Sequence, residues 1–201
     1  RRDIEIRPAT GQDAGIVLTF IRHLAEYEQL AHLVSATEEG LREALFGERP
    51  GAEVLLAYVD GAPAGFAVYF HNFSTFLGRR GMWLEDIFVE PPMRGKGVGK
   101  SLLLAVARIA HERGCGRFEW AALDWNTPAW DFYRALGAAP LEDWTMFRVS
   151  GAALEKLARM QCMPRTPRTA VDRCQRAGQR RRATKRPPPS LPSAYSPTKK
   201  A

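Results

Sequence analysis

Arg94-Gly95-Lys96-Gly97-Val98-Gly99-Lys100-Ser101 is the stretch on which the reading of this chain turns. Its glycines let the backbone approach a ligand closely, and cations stand among and beside them. Behind it, Met82–Glu90 is a β-rich apolar run closed by Pro91-Pro92; ahead of it, a helical pattern covers Lys100–Arg113 and stops at Gly114. A glycine loop opening a helix directs backbone N–H groups and partial positive charge at whatever sits there, which suits a pyrophosphate. One reading is a plain turn joining strand to helix. A dinucleotide fingerprint needs G-x-G-x-x-G, which Gly95, Gly97 and Gly99 do not supply. A nucleotide P-loop needs G-x-x-x-x-G-K-[ST], and Gly99-Lys100-Ser101 fits its second half, with Asp124 available to imitate a magnesium-binding acid. Arg94, however, stands where the first glycine belongs. A third pattern, [QR]-x-x-G-x-[GA], is matched across the whole of Arg94–Gly99.

Outward from the loop, the hydrophobic periodicity sets the remaining elements. Asp3–Arg7 alternates like a short strand. Ile16, Phe20, Leu24, Tyr27 and Leu30 fall near one helical face. Ser35 with Glu38 reads as a capping box for a second helix ending near Gly47. Glu53–Val59 and Ala64–His71 flank the turn signal Asp60-Gly61-Ala62-Pro63, as in a hairpin. After the central helix, Arg117–Leu123 reads as a strand, Thr127 caps a helix with Pro128 in its first turn and Gly137 at its end, Trp144–Val149 reads as a last strand, and a short helix covers Ala152–Arg159. The order β α α β β β α β α β predicts a mixed α/β fold: a central mixed sheet flanked by helices, antiparallel first and with a parallel crossover later.

The chain has 201 residues and a formal net charge of +7. From residue 162 onward, eleven Lys and Arg face one acid, Asp172, so residues 1–161 carry a net −3. All aromatics but Tyr195 also precede residue 162. The expectation is a folded domain over 1–161 and a disordered basic Pro/Arg-rich tail over 162–201. Cys115, Cys162 and Cys174 make no even framework, which fits a reducing compartment. No apolar run is long enough to span a membrane, and Arg1-Arg2-Asp3-Ile4-Glu5 lacks a signal peptide's apolar stretch, so a cytoplasmic setting is expected, with a few residues lost before Arg1. His23, His32, His71 and His111 have no metal-ligand spacing, so no metal is expected. The basic tail leaves open a nucleic-acid-binding role.

The third loop pattern is the acetyl-coenzyme A loop of the GNAT N-acetyltransferases, and residues 3 to about 160 resemble that family. More narrowly the chain resembles its spermidine/spermine (diamine) acetyltransferase branch. The likeness is carried by Ile6-Arg7-Pro8-Ala9-Thr10, Leu24-Ala25-Glu26-Tyr27-Glu28, Trp83-Leu84-Glu85-Asp86-Ile87-Phe88-Val89, Trp125-Asn126-Thr127-Pro128 and Phe132-Tyr133-Arg134. It implies acetyl-CoA held by Arg94, Gly95, Lys96, Gly97, Val98, Gly99 and Lys100, by backbone N–H groups of Ile87, Phe88 and Val89, and by Asn126 and Tyr133. It also implies a homodimer.

An alkyl ammonium of pKa about 10.4 is neutral at pH 7 in roughly one molecule in 2,500, so capturing the reactive form costs about 4.6 kcal/mol. A base or a desolvating site must bear on that step, and the resemblance implies a base acting through water at Glu85. Strand alternation sets Glu85 and Asp86 on opposite faces. A phenol stays protonated at neutral pH and is a competent donor to the leaving thiolate, the role the resemblance gives Tyr133. For a small cationic amine, Glu26, Glu28 and Glu142 with Tyr27, Phe76 and Trp144 would make an acidic, aromatic-lined receptor beside Glu85, through ion pairs and cation–π contacts, and the resemblance implies Glu28, Glu142 and Trp144 among them. Where the diamine branch has Asp-Pro-Trp before the central strand, this chain has Ser74-Thr75-Phe76, one carboxylate fewer. Thialysine or another lysine-like amine therefore competes with polyamines as the acceptor, and protein lysine is an alternative.

Overall fold

The computed structural model describes residues 3–160. Residues 3–140 lie in one compact unit and residues 141–160 in a second. The expected boundary at 161 and the basic tail lie outside the described residues.

In the first unit, β1 (Ile4–Pro8), β2 (Glu53–Val59), β3 (Ala62–Ser74), β4 (Arg79–Val89) and β5 (Phe118–Trp120) form one sheet in sequence order. The first four strands are antiparallel, and β5 joins β4 in parallel. The helix between those two, α3 (Val98–Glu112), is their crossover and packs on one face of the sheet. The other face is covered by α1 (Ala14–Tyr27) and α2 (Glu38–Phe46), while α4 (Thr127–Ala135) follows β5. This is the mixed α/β architecture expected.

On the α1 side, Phe20 stacks on Phe66 at 5.6 Å and tilts against Phe88 at 6.2 Å. On the α3 side, Met82, Leu84, Val98, Leu102 and Val106 close the core. Each such side chain contributes about 1.5–3 kcal/mol by leaving water. The β2–β3 hairpin turns on Asp60 and Gly61, at φ 50° and 80°, so two left-handed residues suffice and β3 begins already at Ala62. Before α1, Arg7 of β1 donates to both carboxylate oxygens of Asp13, at 2.8 and 3.0 Å, and to Tyr58 Oη. That pair pins the helix start to the sheet.

Several expectations are corrected. Thr37, not Ser35, caps α2, its hydroxyl accepting from the Gly40 N–H at 3.1 Å. β5 stops at Trp120 instead of running to Leu123, because the ladder with β4 ends at Leu84–Trp120. Thr127 is the first residue of α4 and not its cap; Asn126 holds the cap position, with no side-chain hydrogen bond to the helix start.

In the second unit, Trp144–Val149 is not a strand. Trp144 is 75% and Phe147 89% exposed, and no sheet ladder includes them. Apolar alternation makes a strand only where a neighbour takes up its N–H and C=O groups. α5 (Gly151–Arg159) follows, close to the expected helix. Among the described residues, no helix is long and apolar enough to cross a membrane.

Candidate active site

The site is organised by β4. Opposite β3, the register skips Glu85: Leu84 faces Tyr69 and Asp86 faces Val68. This bulge resets the alternation, so that Leu84 and Ile87, an odd number apart, both pack on the α3 side. Glu85 and Asp86 consequently do not face opposite sides. Both stand on the α1 side, with Trp83 Nε1 donating to Glu85 at 2.8 Å.

Beyond Leu84, β4 has no neighbour on the β5 side among the described residues. The Glu90 N–H bonds Ala64 O, so by alternation Asp86 and Phe88 turn their backbone groups toward β3. Ile87 and Val89 turn theirs to the open edge. The Phe88 side chain is buried in the core, and its backbone offers that edge nothing.

The end of α1 comes to the same place. Gln29 sits at φ 61°, and the N–H groups of Gln29 and Leu30 bond Glu26 O and Ala25 O, closing the helix in a Schellman motif. A left-handed non-glycine residue costs about 1–2 kcal/mol, a strain stored beside Tyr27 and Glu28. Glu28 lies close enough to Asp86 for its charge to act there. Burial pushes the Glu28 carboxyl up. Burial, then the charges of Glu85 and Glu28, pushes Asp86 up to about 6. No Lys or Arg pairs with any of the three among the described residues.

The loop leads from β4 into α3. Gly95 and Gly97 sit at φ 72° and 89°, where side chains are disfavoured, and no side chain caps the helix start. Its first N–H groups are thereby left for a ligand, with Lys96 and Lys100 exposed beside them. Val98 is buried in the core and has only its backbone to offer. Arg94 folds back, its Nε donating to Val89 O at 3.0 Å and its guanidinium lying 4.5 Å from the Tyr27 ring centroid. Tyr27 in turn reaches Asn126 at 3.4 Å and packs against Trp125 at 5.8 Å.

Tyr133, on α4, packs against Trp120 and Phe132 at 5.0 and 5.4 Å. Trp120 pairs with Leu84 at the point where β4 and β5 part. Burial pushes the Tyr133 phenol up, so it keeps its proton at neutral pH.

Tyr27, Glu28, Glu85, Arg94 and Asn126 are thus gathered around the open half of β4. Phe76 is not. It is 88% exposed at the β3–β4 turn, and the six steps from Arg79 to Glu85 span about 20 Å. Glu142 and Trp144 belong to the second unit, where both are exposed. Asp86 and Trp125 were not singled out by sequence; the signal for Asp86 was its place beside Glu85, masked by the assumption of strict alternation. His23 was also passed over, and it joins Glu90 at 2.7 Å, tying α1 to the end of β4.

Group transfer from an anionic donor to a cationic acceptor suits this arrangement, because the loop end of β4 collects helix-start N–H groups and two lysines while its middle collects carboxylates. The acetyltransferase (GNAT) family model matches residues 20–138. The thialysine N-epsilon-acetyltransferase of Bos taurus is 42% identical over 166 residues, covering 77% of this chain and 97% of that protein. The spermidine/spermine N(1)-acetyltransferase-like protein 1 of Homo sapiens is 27% identical over 164 residues, 77% of this chain and 24% of that one. Among solved structures, an integron cassette protein from the mobile metagenome of V. cholerae superposes with a TM-score of 0.66 at 30% identity, covering 78% of this chain and 98% of that one. The chain belongs to the GNAT acetyltransferase family, as the loop pattern implied, and it is an acetyl-CoA-dependent amine N-acetyltransferase.

Proposed function

We propose that the protein transfers the acetyl group of acetyl-CoA directly, in a ternary complex, to the side-chain amine of a small lysine-like acceptor such as thialysine. The meeting of Glu28, Glu85 and Asp86 beside the open edge of β4 carries the reading, since carboxylates lacking a cation form a receptor for an ammonium. The relative at 42% identity is named for thialysine, whereas the spermidine/spermine-like relative stands at 27%. Phe76 at a distant turn and the carboxylate lost at Ser74-Thr75 also favour a shorter acceptor over a long polyamine.

Acetyl-CoA supplies an activated acyl carbon. The loop Arg94–Lys100 would hold its pyrophosphate, Ile87 and Val89 its extended arm and thioester oxygen, and Asn126 a further polar contact. Loss of one donor to a developing oxyanion costs about 10²–10³ in rate. The carboxylates on β4 take the acceptor's proton, and Tyr133 protonates the leaving sulfur. Tyr133→Phe is expected to lower turnover about 10²-fold with coenzyme binding unchanged. Glu142 and Trp144 belong to the same proposal as contributors to acceptor selection, as do a homodimer, read by sedimentation, and a cytoplasmic setting, read by cell fractionation.

The deciding experiment is thiol release from acetyl-CoA with thialysine, lysine, putrescine, spermidine and a lysine peptide. Thialysine is expected to give the highest kcat/KM. A higher value for spermidine or the peptide would move the acceptor class accordingly, and no release with any amine would end the reading. Binding of the full chain to nucleic acid, followed against salt, tests the alternative suggested by the basic tail.

A further inference from the structure

The resemblance assigns the proton-accepting role to Glu85 and gives Asp86 none. The geometry points to Asp86 as the group that takes the proton of the acceptor's ammonium, with Glu85 and Glu28 holding the ammonium's charge beside it. This rests on the acetyl-transfer reading above.

The bulge is the first support. By skipping Glu85 in the ladder, it brings Asp86 to the α1 side, where Glu28 closes the helix. Without the bulge, strict alternation would bury one of the two β4 carboxylates on the α3 side, Asp86 in register with Leu84 or Glu85 in register with Ile87. The second support is the division of labour between neighbours. Glu85 is exposed and accepts from Trp83 Nε1 at 2.8 Å, which fixes its direction and occupies one oxygen. Asp86 is more buried and has no hydrogen-bond partner for its side chain among the described residues, so its oxygens remain free for a substrate proton.

The two charges that act on Asp86 work in one direction. Glu28 comes from the end of α1, Glu85 from its own strand, and Val68 across on β3 carries no charge. Next along the same face is Phe88, with the Arg94 guanidinium 5.6 Å from its ring centroid. Burial and the two like charges hold the Asp86 carboxyl near 6, close to neutral working pH, where a base both stays ionised and accepts a proton with little driving-force loss. Glu85 and Glu28 thus act on the ammonium by attraction and on Asp86 by repulsion.

The proton and electron count closes. Asp86 carboxylate takes one proton from R–NH3+, and the freed nitrogen lone pair forms the C–N bond to the thioester carbonyl carbon. The C–S bond breaks, its electron pair leaving on sulfur, which takes the phenolic proton of Tyr133. The second nitrogen proton restores the phenol, the amide keeps the third, and Asp86 releases its proton to solvent. The sum is R–NH3+ and acetyl-CoA giving R–NH–acetyl, CoA thiol and one proton.

The test is the pH profile of kcat/KM from pH 5 to 9 for the full chain with thialysine and the rest of the amine panel, beside coenzyme binding by calorimetry. The wild type should lose rate as pH falls through about 6. Asp86→Asn should lower kcat/KM about 10²-fold or more, remove that acid limb, and leave coenzyme affinity within about twofold. Glu85→Gln and Glu28→Gln should keep the limb and move it to lower pH, since each removes a charge that raises Asp86. A limb that persists in Asp86→Asn but disappears in Glu85→Gln overturns the assignment while leaving the acetyl-transfer reading intact. Limbs unmoved in both glutamine variants also overturn it, independently of whether Asp86→Asn folds. Wild-type protein that moves no acetyl group to any amine removes the reading beneath it, and the assignment with it.

Discussion

The two ends of α1 hold acidic side chains in opposite electrostatic states. At the start, Asp13 is 6% exposed, yet Arg7 and the Thr10 backbone N–H complete its hydrogen bonds, and the guanidinium holds its carboxyl well below the usual range. At the far end, Glu28 and Asp86 are raised, with Glu85 adding a third like charge and no cation of the described chain to answer them. The first cluster is closed by a cation brought from β1. The second has no cationic partner among the described residues, which is the place the proposed cationic acceptor would take. A purely structural cluster would be relieved by one Lys or Arg, so an unanswered one that weakens the fold at neutral pH marks the place where function outweighs stability.

Removing the closed pair should have the largest effect on stability. Asp13→Asn is expected to lose about 2–3 kcal/mol at pH 7, measured by urea unfolding, and to leave Arg7 half-satisfied. Because the folded-state pKa is depressed, that stabilisation is present above the unfolded value of about 3.9 and fades as pH falls below it. The variant and wild type should therefore converge in acid.

Asp86→Asn should act in the opposite sense, raising stability at pH 7 by about 1–3 kcal/mol. Here the folded pKa, near 6, lies above the unfolded one, so the neutral form is favoured by folding. The destabilisation grows as pH rises from about 4 to 6 and is complete above it. A destabilised Asp86→Asn variant at pH 7 would break the contrast between the two ends. Glu28→Gln should show the same sign with a smaller gain, read from the same denaturation curves. Phe76→Ala should be smallest: within about 0.5 kcal/mol in stability, with KM for thialysine unchanged, as befits an exposed turn far from Glu85.

Legibility followed locality. The strand–loop–helix from Met82 to Arg113 was read from glycine spacing and periodicity because its parts are consecutive, and a helix start presents its N–H groups whatever packs around it. The amine end draws Tyr27 and Glu28 from α1, Glu85 from β4 and Asn126 from the approach to α4, and only family likeness joined them in advance. Alternation misplaced Asp86, since a bulge is a mismatch between two strands and leaves no mark in one strand's pattern. Trp144–Val149 failed for a related reason: its residues have strand character, but pairing is a property of two segments.

The sequence by itself determined the element order, the mixed sheet, the phosphate-suited loop and the family, because these rest on short-range geometry and on consecutive residue types. Only the tertiary structure decided that β4 and β5 part after Leu84, that Glu85 and Asp86 share a face, and that α1 ends on them. Those outcomes depend on register and burial, and a carboxylate's proton affinity is set by the charges and solvent that folding places around it, not by its place in the chain.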